Sequence, residues 1–491
     1  MKRSFLVFST LSLVLISGVA FAETGAETGV RQMALDQCLQ TAFDKHPDIL
    51  RLRSKIAGAQ ADADSLRGAY FPQLSVEGNV IVWDKALEVS FGDLGGGGEF
   101  PAMGLPEDPD VVLSMNQFDW WLAGQLTETM GYFEGLLGGL SSMGSISLRD
   151  QVTWGATVRL TQALTPLYSV IHGHKAKLLQ RDQVQAHGDT TKHDIGINVA
   201  TAYYAALQAQ AYVVMAQSGV DQLLAHLEQA RAFLEQGIIG KNDVLKVEVQ
   251  LADSQKQLVE AQGMRRIARA NLAAQMGLNP RNPVAPAPQP PGDTLPAFEL
   301  SLDDAVDSAI GKRTELRELA FGTEAAEHGA KVAWWGMVPT VALVGQYEHV
   351  GGQGSMSEPD TFFAGLVLSW EVWDWGQKYF AAKSADAQLE ELAYMKQRTE
   401  QMLSLDVTDK FHRMRSAEKA FHLAHVTITQ AEEALRIERE RFEAQVATST
   451  DVLDAEMALT RARANHINAF YSYLSARAQL RRAMGLPLLD A

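Results

Sequence analysis

The chain has a single cysteine, Cys38, among its 491 residues. One thiol forms no internal disulfide, so packing alone must hold the fold. Cys38 also lies well past the leader described below and follows Leu-Asp-Gln. That placement argues against a lipid anchor and for a small buried residue near a helix start. Cations are scarce as well: 43 Lys plus Arg stand against 59 Asp plus Glu, a net charge of −16. A nucleic-acid partner does not suit that balance. After the leader there is no run of ~18 apolar residues of the kind a membrane helix needs. If the mature chain enters a membrane, it must do so as a β-barrel. No nucleophile–base pattern and no phosphate-binding glycine loop stands out, so an enzyme is the least favoured class. GIIG (237–240) reads as turn chemistry. His172 and His174 form HGH, but the sequence offers no third ligand. No metal and no cofactor is expected.

Lys2 and Arg3, the apolar stretch 5–22 and Ala20-Phe21-Ala22 make residues 1–22 a secretory signal peptide. Its removal takes away two cations and leaves a formal charge of −18.

What is present is a sequence written twice. KNDVLKVEVQL (241–251) matches STDVLDAEMAL (449–459) at an offset of 208. The same offset pairs Glu248 with Glu456, Arg269 with Arg477, Leu272 with Leu480, and MGL at 276–278 with MGL at 484–486. Earlier in each half the offset is 267: Leu35 with Leu302, Asp36 with Asp303, Pro72 with Pro339, Gly78 with Gly345. The offsets differ by 59, so the first half carries an insertion of about that size. We assign 23–278 to the first repeat, 279–299 to a Pro-rich linker and 300–491 to the second repeat.

Each repeat reads helix, strand, strand, helix, helix. The strand pairs are expected at about 71–83 and 151–165, and at about 338–349 and 361–375. Leu74, Val76, Gly78, Val80 and Val82 alternate with Gln73, Ser75, Glu77 and Asn79. Trp154, Ala156, Val158 and Leu160, then Val341, Leu343, Gly345 and Tyr347, then Phe362, Ala364, Leu366, Leu368 and Trp370 follow suit. One face of each strand is therefore apolar. On the last strand Phe363 and Val367 dilute the polar face. From about 376 to 443 there is no proline and, after Gly376, no glycine. Val407, Phe411, Met414, Ala417, Phe421, Ala424, Ile428, Ala431 and Leu435 recur there at steps of three and four, a long packed helix. Residues 173–236 predict its counterpart, each ~100 Å long at ~1.5 Å per residue. Helices about half as long are expected at 35–69 and 302–336, and at 243–277 and 451–485.

Four strands with an apolar face cannot stand alone in a membrane, because their edges would leave backbone N–H and C=O groups unpaired. Several chains must pool strands, and three would give twelve.

On the duplication, the strand pairs with Pro72 and Pro339 at their junctions, and the segments 231–251 and 441–459, the chain resembles the TolC family of outer-membrane export ducts over essentially its whole mature length. The resemblance implies a mainly α fold with a β-barrel part: a homotrimer with a twelve-stranded barrel in the outer membrane, continued by a long α-helical coiled-coil barrel across the periplasm. It implies the exit duct of a tripartite efflux pump or type I secretion system. Its partners would be a periplasmic adaptor, an inner-membrane pump and outer-membrane lipid. The repeated Asp-Val-Leu would sit at the periplasmic tips, about 237–243 and 445–451. Asp451 and Asp454 match aspartates that ring the closed entrance in that family, and Asp243 matches one that latches neighbouring coils. The family's latch can include a Tyr and an Arg, where this chain has Phe442 and Ala447; repeat one has Lys246 where repeat two has Asp454. The alternative for Asp243 and Asp451 is a first-turn role, satisfying free N–H groups and complementing the helix dipole. Asp454, three residues on, is not needed for capping. The adaptor-docking surface is expected at Gly237, Ile238, Ile239, Gly240, Val446, Ala447, Thr448 and Ser449, where small residues allow close approach.

The insertion, about 84–150, contains GGGG (95–98), PEDPD (106–110) and an apolar stretch at 119–140. It falls between the strands of the first hairpin and so on the extracellular side. It reads either as a mobile surface loop or as a partly helical lid over or into the barrel mouth. Trp370, Trp373 and Trp375, with Trp154, read as an interfacial aromatic belt. The competing function is a periplasmic coiled-coil scaffold or adaptor that never enters the membrane, and the apolar strand faces argue against it.

Overall fold

The computed structural model describes residues 31–90, 125, 129, 132, 135, 145–352, 354 and 358–488. The signal peptide and most of the insertion lie outside the described residues. In chain order the elements are β1 (Gln32–Met33), α1 (Leu35–Lys45), α2 (Pro47–Arg67), a 3₁₀ turn at Gly68–Tyr70, β2 (Gln73–Val82), β3 (Leu87–Ser90), β4 (Ser145–Arg149), β5 (Val152–Ala163), α3 (Leu167–Glu235), α4 (Lys241–Gln275), β6 (Ala285–Pro286), α5 (Leu302–Lys312), α6 (Thr314–Trp335), β7 (Thr340–Gly351), β8 (Asp360–Ser369), α7 (Gln377–Glu443) and α8 (Ser449–Ala483). They fall into two compact units, divided after Lys55, Val184, Glu318 and Met395.

One unit, Ile56–Val184 with Leu319–Met395, contains an antiparallel sheet in the order β2-β5-β7-β8. Its register sets Leu74 opposite Leu160, Val158 opposite Val76 and Tyr347, and Phe362 opposite Tyr347. Residues directly opposite one another share a face, so all four apolar alternations fall on the same side. That side is bare in the single chain: Val76 and Val80 are each 71 % exposed and Phe362 73 %. On the other face Gln73, Ser75, Glu77 and Asn79 stand opposite Thr161, Arg159, Thr157 and Gly155. There Arg159 Nε donates to Gln346 Oε1 at 3.0 Å. β2 and β8 are open edges.

The last strand is shorter than the expected 361–375 and stops at Ser369. Asp374 draws the backbone off the ladder by accepting from Gly376 N and Lys378 N, both at 2.9 Å, which starts α7. Trp375 and Gly376 take φ of 56° and 81° in this corner. Trp370, Trp373 and Trp375 therefore lie beyond the strand, all well exposed. His172 and His174 point to different partners, His328 and Tyr70. Among the described residues no group of three or more His, Cys, Asp or Glu could hold a metal.

The other unit holds the described residues up to Lys55, Gln185–Glu318 and those from Lys396 onward. Its core gathers Cys38, Ala42, Ile49, Val199, Leu207, Leu272, Met414, Phe421 and Tyr473. The regular stripe read on α7 supplies Val407, Met414 and Phe421, each at most 1 % exposed. Cys38 is fully buried, and burial pushes its thiol up to about 11.

The helices expected at 35–69 and 302–336 are each broken, at His46 and at Arg313. These two residues are 267 apart, so the break is duplicated. Pro47 accounts for the first, since the residue before a proline is pushed out of the helical region. At the second, Arg313 turns inward to Glu315, Asp406 and the Ala483 carbonyl. Each break receives the end of a later helix. Gly277 and Gly485, both at φ 72°, close α4 and α8 with 6→1 hydrogen bonds, Leu278 N to Ala273 O and Leu486 N to Arg481 O, both 2.9 Å. A Cβ on Gly277 would meet His46 Cα at 2.6 Å, and one on Gly485 would meet the Lys312 carbonyl carbon at 3.0 Å. The twice-written MGL is this cap, with Met276 and Met484 fully buried beneath it. The Pro-rich segment between the repeats is tied down: Ala285–Pro286 pairs with Gln32–Met33, and Tyr471 and Tyr473 donate to the Gln289 and Pro296 carbonyls, both at 2.6 Å.

Candidate functional site: the paired helical tips

Two helical hairpins, α3–α4 and α7–α8, turn at 236–240 and 444–448. Both turns are left-handed caps. Gly237 (φ 72°) donates to Leu234 O and Ile238 N to Phe233 O, each at 2.9 Å; Gln445 (φ 62°) donates to Phe442 O and Val446 N to Arg441 O, again at 2.9 Å. Glycine adopts this conformation freely, and glutamine does so at a cost.

Below each turn an arginine ties the two helices of the hairpin together. Arg231 Nη2 meets Glu248 Oε1 at 2.7 Å, and Arg439 Nη2 meets Glu456 Oε1 at 2.9 Å. Both pairs span 17 residues and are related by the 208 offset. Their surroundings differ: the Glu248 side chain is 39 % exposed, Glu456 only 7 %. Burial raises the Glu456 pKa, Arg439 opposes it, and Glu456 Oε2 has no hydrogen-bond partner among the described residues. Burial beside Arg439 lowers His226 to about 4. His226 lies edge-on to Phe442, centroids 5.2 Å apart, and its Nε2 is hydrogen-bonded to Ser449 Oγ at 3.0 Å. Lys246 Nζ reaches both Asp243 Oδ1, 3.4 Å, and Thr450 Oγ1, 3.1 Å. The two hairpins of one chain are thus joined by His226–Ser449 and by Lys246–Thr450. Phe442 is 2 % exposed and packs against Phe233 at 5.3 Å.

The three aspartates occupy distinct settings. Asp451 completes a capping box: it accepts from Thr448 N at 2.8 Å and from Thr448 Oγ1 at 2.7 Å, and its own N–H donates to Thr448 Oγ1 at 3.3 Å. The Thr448 N–H and hydroxyl lower its pKa. Asp243 sits in the first turn of α4, paired with Lys246. Asp454 is exposed and has no hydrogen-bond or ion-pair partner among the described residues. Of the expected docking residues, Gly237, Ile238, Gly240, Val446 and Thr448 are exposed, and Ile239 and Ala447 are half-buried. Ser449 is 2 % exposed, because its hydroxyl is taken up by His226. Sequence reasoning missed His226, Lys246–Thr450 and the two Arg–Glu ties. The ties carried a signal, since both arginines and both glutamates obey the 208 offset; His226 carried none, because its counterpart is Ala434.

The sequence matches the family described as outer membrane efflux protein over residues 136–278 and 305–486. The chain belongs to that family. Membership makes it an outer-membrane efflux or secretion channel. It is 23 % identical over 389 residues to the alkaline protease secretion protein AprF of Pseudomonas aeruginosa, covering 77 % of this chain and 76 % of AprF. Its fold is that of solved channels. CusC superposes with a TM-score of 0.72 at 13 % identity, covering 95 % of each chain. The outer-membrane channel OprN superposes at 0.70 with 15 % identity, over 92 % of this chain and 90 % of OprN.

Proposed function

We propose that three copies of the chain close a twelve-stranded barrel and form the exit duct of a type I secretion or tripartite efflux system. The observation that carries this reading is the sheet: one apolar face, one polar face and two unpaired edges, β2 and β8. Such a sheet is stable in lipid only when the edges find partners, and an outward apolar and inward polar face suits a lumen. Uncovered apolar side chains on the helices support assembly too. Val249, Val259, Met264 and Ile267 on α4, and Met402, Leu405, Leu423 and Val426 on α7, are 55–72 % exposed. The match to AprF favours a secretion route. A periplasmic scaffold or adaptor leaves the apolar sheet face without a role.

In this reading the exposed tip residues face the periplasm and dock an adaptor bound to an inner-membrane pump, and Asp454 with Asp451 lines the entrance. Three copies give six carboxylates about one axis, an arrangement that attracts cations. The test is to purify the protein from the outer-membrane fraction and record it in planar bilayers. Discrete cation-selective channels are expected. Recovery as a soluble periplasmic protein without channel activity would refute the reading.

A further inference from the structure

The insertion joins the sheet through a two-stranded stem. β3 pairs with β4, Leu87 opposite Arg149 and Glu88 opposite Ser147, with a bulge between Leu87 and Glu88. The stem lies over the polar face of the sheet. Trp83 continues the parity of Asn79 and Ile81, and its indole N–H donates to Thr153 Oγ1 at 2.9 Å. Thr153 is the partner of Ile81 on the same face, and it is 7 % exposed. The Arg149 guanidinium sits over the Trp83 ring, 3.7 Å from its centroid. Its Nη2 donates to the Lys85 carbonyl at 3.4 Å, while its Nε has no hydrogen-bond partner among the described residues. Stem and sheet line an open pocket of about 450 Å³ that includes Asn79, Ile81, Trp83, Arg149, Thr153 and Glu348.

These contacts fix a side of the sheet. In a closed barrel the polar face is the lumen, so the stem stands inside it, at the end of the strands remote from the helices that lead into them. Arg149 is held by a ring face and a backbone carbonyl, neither of them charged, and no carboxylate pairs with it among the described residues, so its charge can act on what passes.

We propose that the Trp83–Arg149 stem narrows the outward end of the lumen and that Arg149 sets selectivity there for the charge of the exported solute. This rests on the trimeric-duct reading. Three copies of Arg149 would oppose the cation preference of the acidic tips.

Bilayer recordings of full-length trimers carrying Arg149→Ala, Arg149→Glu, Trp83→Ala or Trp83→Phe test it, each first shown to be a heat-modifiable trimer. In a potassium chloride gradient the reversal potential should move toward potassium selectivity from wild type to Arg149→Ala, and further for Arg149→Glu. Trp83→Ala should raise conductance, and Trp83→Phe, which keeps a ring beneath the guanidinium, should stay near wild type. Trimeric variants with unaltered conductance and reversal potential, or equal shifts for Ala and Glu, would overturn the proposal while the duct reading stands. Absence of channels from the unaltered protein would overturn the duct reading and this inference with it.

Discussion

Arg439→Ala and Arg231→Ala remove the same interaction from two copies of one motif and should differ sharply. Arg439→Ala strands the Glu456 carboxylate, 7 % exposed, with neither oxygen paired among the described residues. Breaking a buried ion pair typically costs ~3–5 kcal/mol. Arg439 is itself 42 % exposed, so part of the pair is already in water, and a cost of about 2–3 kcal/mol is the better figure. In Arg231→Ala the remaining Glu248 stays hydrated, and the cost should be ~0–1 kcal/mol. Native-state hydrogen exchange of the α8 amides from Val452 to Leu459 reads the difference directly. Opening should rise about 30- to 150-fold for Arg439→Ala, and no more than about 5-fold in the matching α4 segment for Arg231→Ala. The pH dependence gives a second check. The folded pKa of Glu456 is raised, so the fold favours its protonated form. Its stabilisation is fully present below the unfolded pKa and is lost as pH rises through the folded one. The variant removes the compensating cation, so its penalty should be largest at neutral pH and shrink on acidification. His226 moves the same way, since losing Arg439 removes a charge that lowers its pKa. Arg439→Ala/Glu456→Gln should recover most of the loss. Equal penalties at the two tips, or a penalty independent of pH, would refute the reasoning.

Gly277→Ala places a Cβ 2.6 Å from His46 Cα at a φ of 72°. It should cost more than ~2 kcal/mol in thermal unfolding, whereas Gly219→Ala, with open space around it, should be neutral or slightly stabilising; similar melting shifts would contradict this. Gly240→Trp should abolish export while sparing trimer and membrane insertion, because a Cβ there meets only Asp243 Oδ2 at 3.7 Å; normal secretion would count against tip docking. His226 is held neutral by burial, with its pKa down near 4. Its contribution is therefore present above the ordinary histidine pKa and lost as pH falls through 4, and His226→Gln should remove that acid-side loss of tip protection in hydrogen exchange. Asp454→Asn should reduce divalent-cation block in bilayers, with a smaller effect from Asp451→Asn, whose carboxylate is engaged by Thr448; unchanged block in both would retire the acidic entrance.

Much of the architecture was legible in the sequence because two physical signals repeat. Strand alternation is clear on β2, so Leu74 to Val82 could be assigned a face from parity alone. Identity at a fixed offset marked the MGL caps, although their reason lies in a backbone approach to His46 and Lys312 that spacing does not reveal. The break at His46 was signalled by Pro47; the one at Arg313 was not, because tertiary partners as far off as Asp406 and Ala483 hold it. At the tips the aspartates were visible, but their inequality was not. Thr448 engages Asp451 and Lys246 engages Asp243, each three residues away, whereas Asp454 has no side-chain partner among the described residues. The β3–β4 stem was hidden in the insertion, where among the described residues its strands pair only with each other.

A closed barrel requires β2 of one copy to pair with β8 of the next. The only native cysteine, Cys38, is buried, so engineered cysteine pairs report cleanly. A set of pairs combining Leu74, Val76 or Val80 on β2 with Phe362, Leu366 or Leu368 on β8, cross-linked in outer membranes, measures it directly. Closure between three copies should give a covalent ladder that ends at three chains for pairs in register, and no such ladder from either cysteine alone. Cross-linking that stays within one chain, or a ladder that runs past three, would contradict it.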